Sequence, residues 1–196
     1  MKYDPSKHHR RSIRLKGYDY SQAGAYFVTI CINGGLHTLG QIKNGEIYPS
    51  ESGQMVQTVW NELPFHYPGV TVDAFVLMPD HIHGIIILTN NTVGAVPPCP
   101  PPPCPPPPCP PPSYKPMTLG DVVHRFKSLT TTKYRQGVNE LGWTRFEKRF
   151  WQRNYFEKIV RNQKSLDKIR EYILNNPLAW ESKPLHLQKY HPKPDF

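Results

Sequence analysis

The chain has 196 residues, 38% of them hydrophobic, and 24 Lys and Arg against 15 Asp and Glu, for a formal net charge of +9. That length suits one domain with a sizeable core. No apolar run approaches the roughly 18 residues of a membrane helix, and no apolar stretch follows the basic start, so a membrane span and a secretory leader are not expected and a cytoplasmic address is. The positive charge is segregated: residues 1–20 carry net +4, 21–113 net −4 and 114–196 net +9. Such segregation is the footprint of a phosphate-backbone binder, although a solvated basic face gives the same count.

Residues 1–20 read as a basic arm. Tyr26 to Ile32 is β-branched and aromatic and predicts a buried strand. Leu39–Ile42 and Glu46–Tyr48 flank Asn44-Gly45, the pattern of a tight hairpin. Pro49-Ser50 opens a helix whose apolar positions are Met55, Val56, Val59, Trp60 and Leu63, with Pro64 expected to stop it. Val70–Met78 and His81–Leu88 predict two strands joined through Pro79-Asp80. From Pro97 to Pro112 the sequence repeats Cys followed by four Pro. A polyproline helix of this length reaches roughly 50 Å, and its three cysteines (Cys99, Cys104, Cys109) face different ways, which disfavours a shared metal. No CxxC is present and no disulfide framework is expected. The block is read as a surface insertion within a single domain spanning 21–180, followed by a tail over 181–196.

After the block, Thr118 and Asp121 form a capping box, and Leu119, Val122, Phe126 and Leu129 predict the buried face of a helix. Trp143 to Val160 interleaves aromatic and basic residues and reads as partly extended. Its aromatics suit either base stacking or core packing. A last helix is expected from about Gln163 to Asn176, ended by Pro177, with Leu166, Ile169 and Ile173 as its stripe. Leaving out the hairpin, the order β-α-β-β-α-β plus a C-terminal helix predicts an α+β, ferredoxin-like fold. It has a four-stranded antiparallel sheet, helices on one face, and a further C-terminal helix.

Two features carry chemistry. His81 and His83 alternate with Ile82 on a strand, so both imidazoles project to one side and can ligate one divalent cation. A chance HxH among nine histidines is the plain alternative. On the last helix Tyr172 and Asn176 are four apart and share a face, which Lys164 and Lys168 continue. A tyrosine hydroxyl can attack a phosphodiester beside a metal, or Tyr172 can simply pack next to Ile169 and Ile173.

Four blocks then resemble a known family: Tyr18–Ile30, Phe75–Ile85 (FVLMPDHIHGI), Trp151–Tyr155 (WQRNY) and Glu171–Pro177 (EYILNNP). They are similar to the REP-associated tyrosine transposases, relatives of the insertion-sequence single-strand transposases of the HUH class. The resemblance implies metal-dependent cleavage and strand transfer of single-stranded DNA beside a hairpin, through a 5′-phosphotyrosine intermediate. It implies Tyr172 as nucleophile, His81, His83 and Asn176 as ligands of Mg²⁺ or Mn²⁺, and a nucleoid-associated monomer or homodimer. Candidate DNA contacts are Arg10, Arg11 and Arg14 of the arm, Arg145, Arg149 and Arg153, and Lys164 and Lys168. Tyr155 is expected to be structural or to touch DNA. Two rival readings are a chromosomal protein that binds hairpins without cutting, and a zinc hydrolase or deaminase. The second lacks the HExxH or Cys-x-x-Cys that usually accompanies such zinc.

Overall fold

The computed structural model describes residues 14–89 and 117–182. Arg10, Arg11, the proline block with its cysteines, and the tail beyond 182 lie outside the described residues. The elements run β1 (Gly24–Cys31), β2 (Gly40–Lys43), β3 (Glu46–Pro49), α1 (Glu51–His66), β4 (Val70–Leu77), β5 (His81–Leu88), α2 (Leu119–Glu140), β6 (Phe156–Val160) and α3 (Gln163–Glu181). The main sheet is antiparallel in the order β4-β5-β1-β6. With α1 and α2 as crossovers this is the expected ferredoxin-like α+β arrangement. The β2–β3 hairpin turns through Asn44 and Gly45, both at positive φ, as an Asn-Gly turn requires.

Side-chain alternation splits the core into two layers. Tyr26, Val28, Ile30, Ile82 and Ile86 face α1 and α2, where Val56, Trp60, Val122 and Phe126 meet them. Phe27, Val76 and Ile85 face the other way, against Ile169, Ile173 and Trp180 of α3. The sheet is therefore covered on both sides, by two helices on one and α3 on the other. Gly84 allows the first layer to close. A Cβ there would stand 2.4 Å from the Trp60 ring, so any side chain would displace the largest group in that core.

Helix starts follow their caps. The Ser50 hydroxyl accepts from Gly53 N at 3.1 Å, and Thr118 and Asp121 form the reciprocal capping box. Both proline stops were misjudged. Pro64 lies inside α1 and Pro177 inside α3. Each costs one helical bond, yet the next ones form: Tyr67 N donates to Leu63 O, and Ser182 N to Leu178 O. In α3 the burial of Pro177 and Trp180 offsets that loss. Leu129 is 39% exposed rather than buried, and Thr130 takes the inward position, accepting from Trp151 Nε1 at 2.8 Å. In the aromatic segment Phe150 and Trp151 are core residues, with Trp143, Phe146 and Tyr155 packed against them. Their faces are thus engaged within the protein.

Candidate active site

His81 and His83 occupy the start of β5, on the face that looks at α3. Both are buried, 1% and 3% exposed. Their Nε2 atoms point at each other across 3.0 Å. Each Nδ1 has its own oxygen: Asp80 Oδ1 lies 2.7 Å from His81 and Thr29 Oγ1 2.8 Å from His83. Thr29 is brought there by strand register, being the cross-strand partner of His83 on β1. With the proton assigned to Nδ1 of both rings, the Asp80 carboxylate accepts from His81 and the Thr29 hydroxyl from His83. Two Nε2 lone pairs then converge. Two ligands at right angles on one ion stand about 3.0 Å apart when each bond is about 2.1 Å. The donor set therefore fits a divalent cation.

Helix α3 lies across this pair. Tyr172, Asn176 and Trp180 are spaced by four and form one helical ridge. The Tyr172 ring stands 5.3 Å from the His83 ring and the Trp180 ring 5.5 Å from the His81 ring, centre to centre. Asn176, buried at 7% exposure, sits on the turn between them. Phe27 stacks on His83 at 5.5 Å and meets Tyr172 edge-on at 6.0 Å. Burial raises the Tyr172 phenol above its ordinary range, and a hydrogen bond with Asn176 pulls the other way. The four residues singled out in the sequence are thus one cluster. Among the described residues no group of three or more His, Cys, Asp and Glu is placed to hold a metal.

Three partners escaped the sequence reading. Thr29 is 54 positions from His83 and only pairing reveals it. Trp180 continues the Tyr172-Asn176 spacing by one more turn, but the expected stop at Pro177 hid it. Asp80 was taken for a turn residue, although a carboxylate adjacent to a histidine is a common orienting partner. Tyr155 belongs to the opposite layer. Its hydroxyl accepts from Arg14 at 2.8 Å, which removes it from the histidine face.

The basic candidates divide. Arg145, Arg149, Arg153, Lys164 and Lys168 are exposed. Arg14 is engaged, its guanidinium over the Tyr20 and Tyr155 rings. Lys127, not singled out before, donates to the carbonyls of Gln152, Arg153 and Asn154 at 2.7, 3.4 and 3.4 Å. Gln152 N donates to Cys31 O at 2.8 Å, so this strap is pinned beside the end of β1 that pairs with His81. Burial lowers the Lys127 ammonium to about 8.

A sheet of this order with a histidine pair under a tyrosine helix has counterparts among known proteins. The sequence profile of IS200-like transposases matches residues 112–176, which run from just before α2 to Asn176. Over that third of the chain the sequence is similar to the IS200-like transposases. An uncharacterised protein of Haemophilus influenzae is 38% identical over 186 residues, covering 95% of this chain and 98% of its own. The fold is similar to that of a REP-associated tyrosine transposase solved bound to a REP hairpin. The TM-score is 0.54 at 17% identity, over 85% of this chain and 74% of that one. No helix among the described residues is long and apolar enough to cross a membrane.

Proposed function

We propose that this protein cuts and rejoins single-stranded DNA beside a hairpin, with Tyr172 as nucleophile. The observation that carries the reading is the placement of Tyr172 and Asn176 over the His81–His83 pair on one sheet face. The Tyr172 oxygen attacks the scissile phosphorus, the bond to the 3′ oxygen breaks, and a 3′-hydroxyl and a 5′-phosphotyrosine result. The reverse attack by a 3′-hydroxyl of another strand restores the phosphodiester and the phenol. His81, His83 and the Asn176 carbonyl oxygen are the ligands assigned to Mg²⁺ or Mn²⁺. When bound, the ion supplies Lewis-acid polarisation of the phosphate and stabilisation of the leaving oxygen. Asp80 and Thr29 orient the imidazoles. Asn176, with its amide N–H toward the phenol, favours the phenolate that must form. Lys164 and Lys168 extend the Tyr172 face for backbone phosphates, and Arg145, Arg149 and Arg153 add exposed charge near the strap.

The anchoring of α3 supports a nucleophile that serves its own subunit. Arg170 makes two bonds to the Asp73 carboxylate of β4, at 2.6 and 3.0 Å. The Glu181 carboxylate accepts from the backbone of Asn44 and Gly45 in the hairpin turn. Tyr172→Phe is expected to abolish covalent protein–DNA adducts on a hairpin oligonucleotide and leave binding intact. Chelation with EDTA should stop cleavage by the wild-type protein. Adducts formed by the phenylalanine variant would transfer the role to another tyrosine. Gel shifts without adducts in Mn²⁺ would favour hairpin binding alone.

A further inference from the structure

The segment Trp151–Tyr155 runs past the end of β1 as a strap between β1 and α2. Asn33 N donates to Phe150 O and Gln152 N to Cys31 O, both at 2.8 Å, and Gln152 Nε2 to Ile32 O at 3.4 Å. On the α2 side, Trp151 Nε1 donates to Thr130 Oγ1 at 2.8 Å. Lys127, one turn before Thr130, holds the other half of the strap. Its Nζ donates to the carbonyls of Gln152, Arg153 and Asn154 at 2.7, 3.4 and 3.4 Å, and stands 5.7 Å from the centre of the Tyr155 ring. Trp151, Gln152 and Tyr155 are thus engaged within the fold. Arg153 is not. It is exposed, and among the described residues no acid pairs with it.

An ammonium sunk in protein loses hydration, which is why burial lowers that of Lys127 to about 8, and three carbonyl dipoles offset the loss. Three such bonds also do what one cannot. Carbonyls of consecutive residues that converge on one cation fix the peptide planes on both sides of Arg153. They thereby fix the direction in which its side chain leaves the strap. The strap is also close to the chemistry. Cys31 is the cross-strand partner of His81 on one side of β1, and the strap bonds to Cys31 on the other. Two strand spacings, roughly 10 Å, separate the strap from the His81 backbone. That is about three stacked nucleotides. A strand whose scissile phosphate lies at the histidine pair brings a neighbouring phosphate within reach of Arg153. A guanidinium is suited to that phosphate, since its planar fork bonds two oxygens at once.

We propose that Lys127 is a positioning residue: through the three carbonyls it aims the Arg153 guanidinium at a backbone phosphate of the DNA strand lying at the histidine pair. The inference rests on the single-stranded DNA reading above and adds to it a residue that does not itself touch DNA. The test is the salt dependence of binding of full-length protein to a labelled hairpin oligonucleotide with a single-stranded flank, followed by anisotropy. Each single-strand phosphate contact contributes about 0.7 to the slope of log affinity against log salt. Arg153→Gln is expected to lower the slope by about 0.7, and Lys127→Met by the same amount. The double variant should lower it by about 0.7 in total, not about 1.4, because the two residues act on one contact. Lys127→Arg, which keeps the donors, should hold the slope near the wild-type value. Folding is checked by melting curves, and Lys127→Gln, which keeps one donor, replaces Lys127→Met if that variant unfolds. An unchanged slope in Arg153→Gln overturns the phosphate contact, and additive losses in the double variant overturn the clamp. Both outcomes leave the DNA reading standing. Wild-type protein that does not bind the oligonucleotide overturns both.

Discussion

Asp80 and Thr29 decide what the histidine pair can do. An imidazole whose Nδ1–H is held by an oxygen offers its Nε2 lone pair in a fixed direction. Here the two Nε2 atoms stand 3.0 Å apart. Asp80→Ala removes one of these holds and the charge that makes His81 a better donor. Loss of such an outer partner typically costs 10–100-fold in metal affinity, about 1.4–2.7 kcal/mol. The expected outcome is a rise of that order in the Mn²⁺ concentration for half-maximal cleavage. An unchanged Mn²⁺ dependence would confine Asp80 to the turn, where its carbonyl accepts from Ile32 N at 2.7 Å. Of these residues the histidines were visible from alternation alone, because an HxH on a strand must share a face. Thr29 was not, since nothing in a β-branched run says which threonine will stand opposite a histidine.

At the level of elements, α3 has to be held to within a fraction of an ångström for Tyr172 to be aligned, and it crosses the sheet on an apolar ridge of only a few residues. The Arg170–Asp73 pair fixes its middle where β4 departs from regular pairing between Val72 and Phe75. The pair is partly exposed, so Arg170→Ala should destabilise the fold by no more than about 1 kcal/mol in denaturant unfolding. Adduct formation should fall several-fold more than that loss explains, because misplacement of the nucleophile costs rate directly. A rate that only tracks stability would reduce the pair to an ordinary surface contact. The sign of its pH dependence follows from Asp73. Hydrogen bonding to Arg170 holds its carboxyl below the usual range. The stabilisation is thus present above a pH of about 4 and is lost as pH falls through the depressed value. Neutral and alkaline conditions leave the latch closed.

Across the whole molecule, charge and chemistry are arranged together. The acidic middle of the chain supplies β1 to β5, including the His81–His83 pair. The basic C-terminal part supplies α2, β6 and α3, with Lys164 and Lys168 exposed on the helix that carries Tyr172. Phosphates drawn to α3 are therefore drawn toward Tyr172, the proposed nucleophile. Affinity for single strands falls with salt in proportion to the phosphates neutralised, at about 0.7 logarithmic units per contact. Replacing both Lys164 and Lys168 by Gln should reduce the slope of log affinity against log salt by about 1.4, measured by anisotropy across a salt series. An unchanged slope would place the strand elsewhere.

What the sequence determined by itself is what depends on local periodicity and spacing. It was enough for the order of strands and helices on which the fold rests, for the shared face of His81 and His83, and for the stacking of Tyr172 on Asn176, because strand and helix periods are properties of adjacent residues. It misplaced the ends of α1 and α3, since a proline's local cost is overridden when burial of Pro177 and Trp180 rewards continuation. Only the tertiary structure decided that the tyrosine helix lies over the histidine strand and that Thr29 completes the pair. Those facts depend on strand register and on which face of the sheet each helix covers. These are settled by packing between segments far apart in the chain, and no local pattern records them.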